Sequence, residues 1–223
     1  MKIVIINGSP RQNGNTAMLL NSMQSYLLRK ADVEVTYYHL DSMDIRSCQG
    51  CCQCYKTGSC IMNDDAEKLS QEIFQANGII LGSPTYASSI SGQLKTFIDR
   101  GHFVIEQLLY NKYSIAVVTG ENYGSETALK SLKNLILYSG GFITKALTFK
   151  FPFQNHPILD HKLDKKLALL IEKMYTDIHK QRIKYLQRLQ NKLIFHLGIL
   201  PFVRKKGTAY EGIFKYWKFY KSP

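Results

Sequence analysis

The order of apolar and polar positions along the chain predicts five strands that alternate with five helices. Strand-like runs occupy residues 2–6, 33–39, 78–82, 114–119 and 142–149, and helical periodicity occupies residues 16–29, 65–75, 91–109, 125–138 and 160–190. Most of these strands are apolar throughout, as strands covered by helices on both faces must be, whereas residues 33–37 alternate like an edge strand. The pattern therefore predicts an α/β, three-layer sandwich around a five-stranded parallel sheet.

Right-handed crossovers between five parallel strands favour the strand order 2-1-3-4-5, which reverses direction between strands one and three. Ligands bind outside the carboxyl ends of the strands at such a point, where the loops 7–16, 83–92 and 120–125 would meet. Tyr86 and Tyr123 in these loops suggest a flat ring to stack against, although each taken alone is explained as well by an ordinary loop aromatic.

The loop at residues 7–16 has the composition of an anion-binding turn. Gly8 and Gly14 permit close approach of the backbone, and the next helix presents unpaired N–H groups and a positive dipole end. The loop lacks the ending of a P-loop and the chain has no G-x-G-x-x-G, so neither ATP hydrolysis nor dinucleotide binding is predicted. Its hydroxyls and amides suit one terminal monophosphate; the alternative is a polar turn with Asn15 or Thr16 as the helix N-cap.

The net charge of +12 is concentrated in the last third of the chain, where residues 160–223 carry +10. That segment contains no nucleic-acid-binding motif, so a nucleic-acid partner is not predicted. The N-terminal apolar stretch is too short for a signal peptide, and no apolar run approaches the ~20 residues of a membrane span. We therefore expect a cytoplasmic protein.

All five cysteines fall between positions 48 and 60, directly after the second predicted strand. Four of them have the spacing C-x2-C-x2-C-x5-C, which lets the thiolates of one loop surround an iron-sulfur cubane; these four are Cys48, Cys51, Cys54 and Cys60, with Cys52 left over. A zinc site and disulfides are less favoured. Two interpretations stay open, namely a [4Fe–4S] cluster or a cluster-free set of buried or redox-labile thiols.

Two groups of motifs together resemble the flavodoxin-like, NAD(P)H-dependent FMN reductase family over roughly residues 1–150. They are Gly8-Ser9-Pro10-Arg11 with Gly14-Asn15-Thr16, and Ser83-Pro84-Thr85-Tyr86 with Ser91-Gly92-Gln93-Leu94-Lys95 and Phe97-Ile98-Asp99-Arg100. The resemblance implies bound FMN. Its phosphate would lie at Ser9, Arg11, Asn15 and Thr16, its isoalloxazine against Pro84, Thr85, Tyr86, Ala87 and Ser88, and the far edge of the ring near Gly120, Tyr123 and Gly124.

The cysteine loop resembles that of the iron-sulfur flavoprotein branch of this family, in which a [4Fe–4S] cluster lies near the FMN of a neighbouring subunit. The resemblance implies an oxidoreductase that passes electrons from NADH or NADPH through FMN to a second acceptor, whether a flavin, a quinone, a nitro compound or a protein. Because the flavin carries the chemistry, no catalytic side chain is named. The alternative is an iron-sulfur flavoprotein or flavodoxin-like electron carrier without its own NAD(P)H turnover.

Residues 191–223 form a basic, aromatic extension after the predicted flavodoxin-like domain, residues 1–190. An apolar run at 193–203 precedes three basic residues and six aromatic ones, and such a segment must bury its apolar side. We expect it to dock on a neighbouring subunit of a homodimer or homotetramer, with the chain's own surface and a membrane surface as alternatives. His196 within the run is expected to be a packed core histidine.

Overall fold

The computed structural model describes residues 1–152 and 159–221, and its centre is a five-stranded parallel sheet. The strands follow the order β2-β1-β3-β4-β5, as the sequence predicts. Their bounds are β1 Lys2–Asn7, β2 Glu34–His39, β3 Gly78–Pro84, β4 Tyr113–Gly120 and β5 Phe142–Lys150. The central strands β1, β3 and β4 are almost wholly buried because helices cover both faces of the sheet.

Nine α-helices lie within the described residues. They are α1 Asn15–Leu28, α2 Gln53–Thr57, α3 Asp65–Gln75, α4 Gly92–Arg100, α5 Ser125–Tyr138, α6 His161–His179, α7 Tyr185–Leu193, α8 Leu200–Lys206 and α9 Glu211–Lys221. The helices α1 and α6 bury their apolar sides on one face of the sheet, and α3, α4 and α5 do so on the other. The result is a flavodoxin-like three-layer sandwich with a helical C-terminal extension.

Two predicted helices are too long. The helix predicted over residues 91–109 ends at Arg100, because His102 and Gln107 adopt left-handed backbone angles that a right-handed helix cannot contain. The helix predicted over 160–190 is divided into α6 and α7, since Gln181 has a φ of 44°. None of these residues is a glycine, but Gly101 directly after Arg100 is a typical helix-ending signal, whereas the break at Gln181 has no comparable signal.

The C-terminal extension packs on the chain's own surface. Gln187 of α7 makes hydrogen bonds of 2.7 and 3.1 Å with the backbone of Ile143, and Asn191 donates to the Gly141 carbonyl at 2.9 Å. Further along, a separate apolar cluster forms around buried residues of the extension: Ile199, Val203, Ile213 and Trp217. The alternative in which the extension packs on the chain's own surface therefore describes this part of the chain. Helix α7 runs across the predicted boundary between residues 190 and 191.

His196 is not the core histidine that the sequence predicts. Its side chain is exposed, and its ring meets that of Phe195 edge to face.

Within residues 1–152 and 159–221, none of the helices combines the length and the apolar character that crossing a bilayer requires.

Candidate functional site

The three loops predicted to meet at the carboxyl edge of the sheet do so. The amide of Gly8 donates to the Gly82 carbonyl at 2.8 Å, and the hydroxyl of Ser91 donates to the Gly8 carbonyl at 2.5 Å. The hydroxyls of Thr16 and Thr119 share a buried hydrogen bond of 2.7 Å, which ties the first loop to the end of β4. The loops are therefore fixed relative to one another by direct hydrogen bonds.

The first loop leaves the beginning of α1 open to an anion. The N-cap of α1 is Gly14, which offers no side-chain acceptor, and the first turn of the helix contains no acidic residue. Neither Asn15 nor Thr16 caps the helix, so the alternative of an ordinary capped turn does not describe this loop. The hydroxyl of buried Ser9 instead shapes the loop, since it accepts a hydrogen bond from the Arg11 amide at 3.1 Å.

The second loop is a tight turn from Tyr86 to Ser89, closed by reciprocal backbone hydrogen bonds of 3.0 and 2.9 Å. Ala87 and Ser88 have φ values of 48° and 60°, an arrangement that costs free energy for residues other than glycine or asparagine. Such local strain is found preferentially at ligand sites. Tyr86 is 43% exposed, so its ring is accessible at the rim of the loop.

The third loop interlocks with the second. Gly124 has a φ of 88°, and a Cβ atom there would lie 2.6 Å from the Ser88 hydroxyl. The Thr85 hydroxyl donates to that of Ser125 at 3.0 Å beside Gly120. Tyr123 at the tip is 86% exposed. The two loops thus form one surface with a free tyrosine at its edge.

The five cysteines line a single cavity of about 260 Å³. Cys54 and Cys60 are half-buried and the other three are exposed. Cys52 has a φ of 56° and precedes α2, so it turns the chain between Cys51 and Cys54. Burial raises the pKa of the Cys54 thiol to about 12.

No three Cys, His, Asp or Glu side chains among the described residues are arranged to hold a single metal ion. A four-iron cluster sets its cysteine ligands further apart than one ion does, because each thiolate binds a different iron. The relevant observation for a cluster is therefore the shared cavity.

A buried arginine forms one side of this cavity. The side chain of Arg100 is 1% exposed and makes two hydrogen bonds of 2.6 and 2.9 Å with the Asp64 carboxylate. Its Nη2 also donates to the Cys60 sulfur at 3.3 Å, and its Nε–H is buried with no partner among the described residues. Burial alone would raise the pKa of Asp64, but the hydrogen bonds from Arg100 and from backbone amides lower it.

A second charged group on the cavity wall is His102. Its ring nitrogens lie 3.0 Å from carboxylate oxygens of Glu106 and Glu67. Burial by itself would lower the pKa of His102, but these two carboxylates outweigh it and raise the pKa to about 9. His102 is therefore an imidazolium at neutral pH, and the cavity wall carries two buried cations, Arg100 and His102, together with the buried Glu106 carboxylate.

The C-terminal extension covers the outside of the cysteine loop. Tyr210 stacks on Tyr55 with ring centroids 4.7 Å apart, and Tyr216 stacks on His102 at 5.1 Å. Backbone packs directly on backbone where α9 crosses the loop, since a Cβ atom on Gly212 would lie 2.2 Å from the Gly58 nitrogen. The extension is therefore part of the cysteine site.

Sequence reasoning missed the charged groups of this site. Asp64 and Arg100 could have been suspected, because an aspartate precedes the helical pattern at 65–75 and Arg100 ends a motif that the resemblance uses. His102 and Glu106 stand four residues apart, but no spacing signal connects them with Glu67, which lies 35 residues before His102.

The chain matches the family model described as NADPH-dependent FMN reductase over residues 1–156. An iron-sulfur flavoprotein of Clostridioides difficile strain 630 is 36% identical over 221 residues, which cover 98% of each chain. Another iron-sulfur flavoprotein, from Archaeoglobus fulgidus, is 27% identical over 228 residues, again 98% of each chain.

Among solved structures, the apo form of an NADH:FMN oxidoreductase aligns with a TM-score of 0.59 at 20% identity, over 84% of this chain and 93% of that one. At that identity the alignment supports the fold alone. The length of the family match and the full-length similarity to the Clostridioides protein go further, and they agree with the interlocked loops and the cysteine cavity. The chain thus belongs to the NADPH-dependent FMN reductase family of FMN-dependent oxidoreductases, in its iron-sulfur flavoprotein branch.

Proposed function

We propose that the protein takes electrons from NADH or NADPH onto FMN and delivers them to a second acceptor, and that Cys48, Cys51, Cys54 and Cys60 hold a [4Fe–4S] cluster. The single observation that supports this best is the placement of all four thiols of the C-x2-C-x2-C-x5-C spacing on one cavity. Arg100 on the wall of that cavity also has a buried Nε–H for which the described residues supply no hydrogen-bond partner, as expected of a donor that awaits an anionic ligand.

In this proposal the first loop binds the FMN phosphate. The open amides at the start of α1 are directed at the anion, Ser9 and Thr16 supply hydroxyls, Asn15 an amide, and Arg11 the one cation. Since Ser9 also holds the Arg11 backbone, its hydroxyl both orders and lines the loop.

The second and third loops would orient the ring. The turn formed by Pro84, Thr85, Tyr86, Ala87 and Ser88 would lie against the ring, with the amides of Ala87 and Ser88 as its donors, since those of Thr85 and Tyr86 already bond the Thr119 and Ser89 carbonyls. Gly120, Tyr123 and Gly124 would border the opposite edge. When bound, FMN supplies the hydride and electron chemistry, accepting two electrons and releasing them singly or in pairs. The chain's own contribution is binding and orientation, and no side-chain acid or base is assigned.

The test is anaerobic purification of the full chain followed by a UV-visible spectrum with flavin and iron analysis. We expect one FMN and about four irons per chain. Cys52→Ser should keep the iron and Cys54→Ser should lose it, so the first is a matched control for the second. A spectrum with flavin bands and no iron would overturn the cluster and leave the cysteines as a structural or redox-labile set.

Oxidation of NADH and of NADPH by the same preparation tests the electron donor. We expect turnover with at least one nucleotide in the presence of an artificial acceptor. If neither is oxidised while chemically reduced protein still passes electrons on, the protein is an electron carrier of the flavodoxin kind.

We also propose that the protein is a homo-oligomer. Four leucines of α7 and of the segment that follows it are 48–80% exposed and recur at helical spacing, namely Leu186, Leu189, Leu193 and Leu197. A second copy that covers this leucine row would remove the apolar surface from water.

A further inference from the structure

We propose that Arg100 is a positioning residue for the cysteine site, and that its hydrogen bond to the Cys60 sulfur makes the bound cluster easier to reduce. The inference rests on the proposed function, because it requires a cluster at the four cysteines. It assigns Arg100 a role beyond its ion pair with Asp64.

The geometry around Arg100 is that of a fixed donor. Both terminal nitrogens of Arg100 donate to the Asp64 carboxylate, at 2.6 and 2.9 Å, and Nη1 also donates to the Arg46 carbonyl at 2.8 Å. With the guanidinium held in this way, Nη2 reaches Cys60 at 3.3 Å. A rigid, buried donor keeps this contact without losing side-chain entropy when the site is filled.

The charge of the site gives the direction of the effect. A [4Fe–4S] cluster with four thiolates is an anion, and its negative charge grows by one on reduction. Hydrogen bonds to the cluster sulfurs and nearby positive charge therefore favour the reduced state. Asp64 offsets part of the guanidinium charge, and Glu67 and Glu106 offset that of His102, so the directed N–H···S bond is the feature specific to Arg100.

The chain offers a close control in Arg46. It also approaches Asp64, at 3.5 Å from Nε to the carboxylate, but its side chain is 54% exposed and no cysteine contact is found for it in the described residues. Arg46→Gln therefore removes a positive charge near the Asp64 carboxylate but leaves the hydrogen bond from Arg100 to the Cys60 sulfur in place.

The experiment is an EPR-monitored redox titration of the iron-loaded full chain. Arg100→Gln alone would leave the Asp64 carboxylate buried without its cation, so Asp64→Asn is combined with it to keep the net charge of the pair unchanged. We expect the midpoint potential of the double variant to lie at least 59 mV below that of the wild type. For a one-electron couple this shift corresponds to a tenfold smaller ratio of reduced to oxidised cluster at a given potential. Arg46→Gln should keep the wild-type midpoint.

Arg100→Lys provides a second measure if the double variant loses its iron. A lysine keeps the positive charge, but its single ammonium cannot donate to the carboxylate and to the sulfur in the planar arrangement of a guanidinium. We therefore expect the midpoint potential to shift in the same direction by a smaller amount. A wild-type midpoint in either iron-loaded variant, or an equal shift in Arg46→Gln, would overturn the inference and leave the cluster in place. A wild-type chain that takes up no iron would overturn the cluster assignment, and the inference with it.

Discussion

At the scale of single residues, hydroxyl groups hold the first loop in shape before any ligand arrives. Ser9 orders the Arg11 backbone, and Thr16 ties the loop to Thr119. We predict that Ser9→Ala together with Thr16→Ala weakens FMN binding by about 1–3 kcal/mol for each hydroxyl removed, as expected for lost hydrogen bonds to a charged group. Fluorescence titration with FMN and riboflavin measures this.

Ser25→Ala is the control for that pair, since Ser25 lies on the same helix α1 and bonds only its own backbone turn, at Asn21, in the described contacts. It should leave FMN affinity unchanged. Equal affinity of the wild type for riboflavin and FMN would show that the loop does not bind the phosphate.

His102 gives stability a dependence on pH. Its pKa is about 9 in the folded chain against about 6.5 in an unfolded one, so its ion pairs stabilise the fold fully below pH 6.5. That contribution, about 3 kcal/mol at 1.36 kcal/mol per pKa unit, is lost as the pH rises through about 9. We predict that the difference in unfolding free energy between wild type and His102→Gln shrinks by about this amount between pH 6 and pH 10.

Denaturant titrations of both proteins at the two pH values measure the difference. The comparison with His102→Gln removes the contribution of the tyrosines and thiols that titrate in the same range, because both proteins contain them. A difference that stays constant from pH 6 to pH 10 would mean that His102 is not held between the two carboxylates.

At the scale of elements, the contact between α9 and the cysteine loop depends on two glycines. Because a Cβ atom on Gly212 would lie 2.2 Å from the Gly58 nitrogen, we predict that Gly212→Ala displaces α9 and increases hydrogen exchange in residues 48–60. Gly198→Ala is the matched control within the extension, since nothing lies within 4 Å of a Cβ there and alanine favours helix by up to about 1 kcal/mol. Unchanged exchange in Gly212→Ala would contradict the packing.

The elements also show what a sequence can and cannot predict. Strands such as Ile79-Ile80-Leu81 are recognisable because burial on both faces demands a continuous apolar run, and the strand order follows from the crossover rule. Gly101 is a local signal for the end of α4, but left-handed His102 was not predictable, because Glu67 and Tyr216 from distant parts of the chain stabilise it together with nearby Glu106. The place of the first loop at the start of α1 is local in sequence and could be predicted. The contact of Arg100 with Cys60 is tertiary and could not.

At the scale of the whole molecule, the leucine row exposes apolar side chains to water that a second copy of the chain would bury. Burying a leucine contributes about 1.5–3 kcal/mol, so a symmetric contact between two copies has enough apolar area to associate. We predict that Leu189→Lys with Leu197→Lys gives a monomer by light scattering. Leu169→Lys, at a leucine on α6 that is 63% exposed, should leave the assembly of the wild type intact.

A monomeric wild type at micromolar concentration would contradict the oligomer. A wild-type oligomer that survives both lysines would place the interface elsewhere on the surface.

The contact between Gly58 and Gly212 has a consequence for the synthesis of the protein. Cys60 leaves the ribosome about 147 residues before Gly207, an interval of about 7–30 s at roughly 5–20 residues per second. Throughout that time the segment that covers the cysteine loop does not yet exist, so the thiols are open to whatever delivers iron and sulfide. Completion of the C-terminus then packs α9 and Tyr210 against one side of the loop, while Cys48, Cys51 and Cys52 stay exposed. Under the proposed function, the order of residues along the chain thus gives cluster insertion an interval before α9 packs on the cysteine loop.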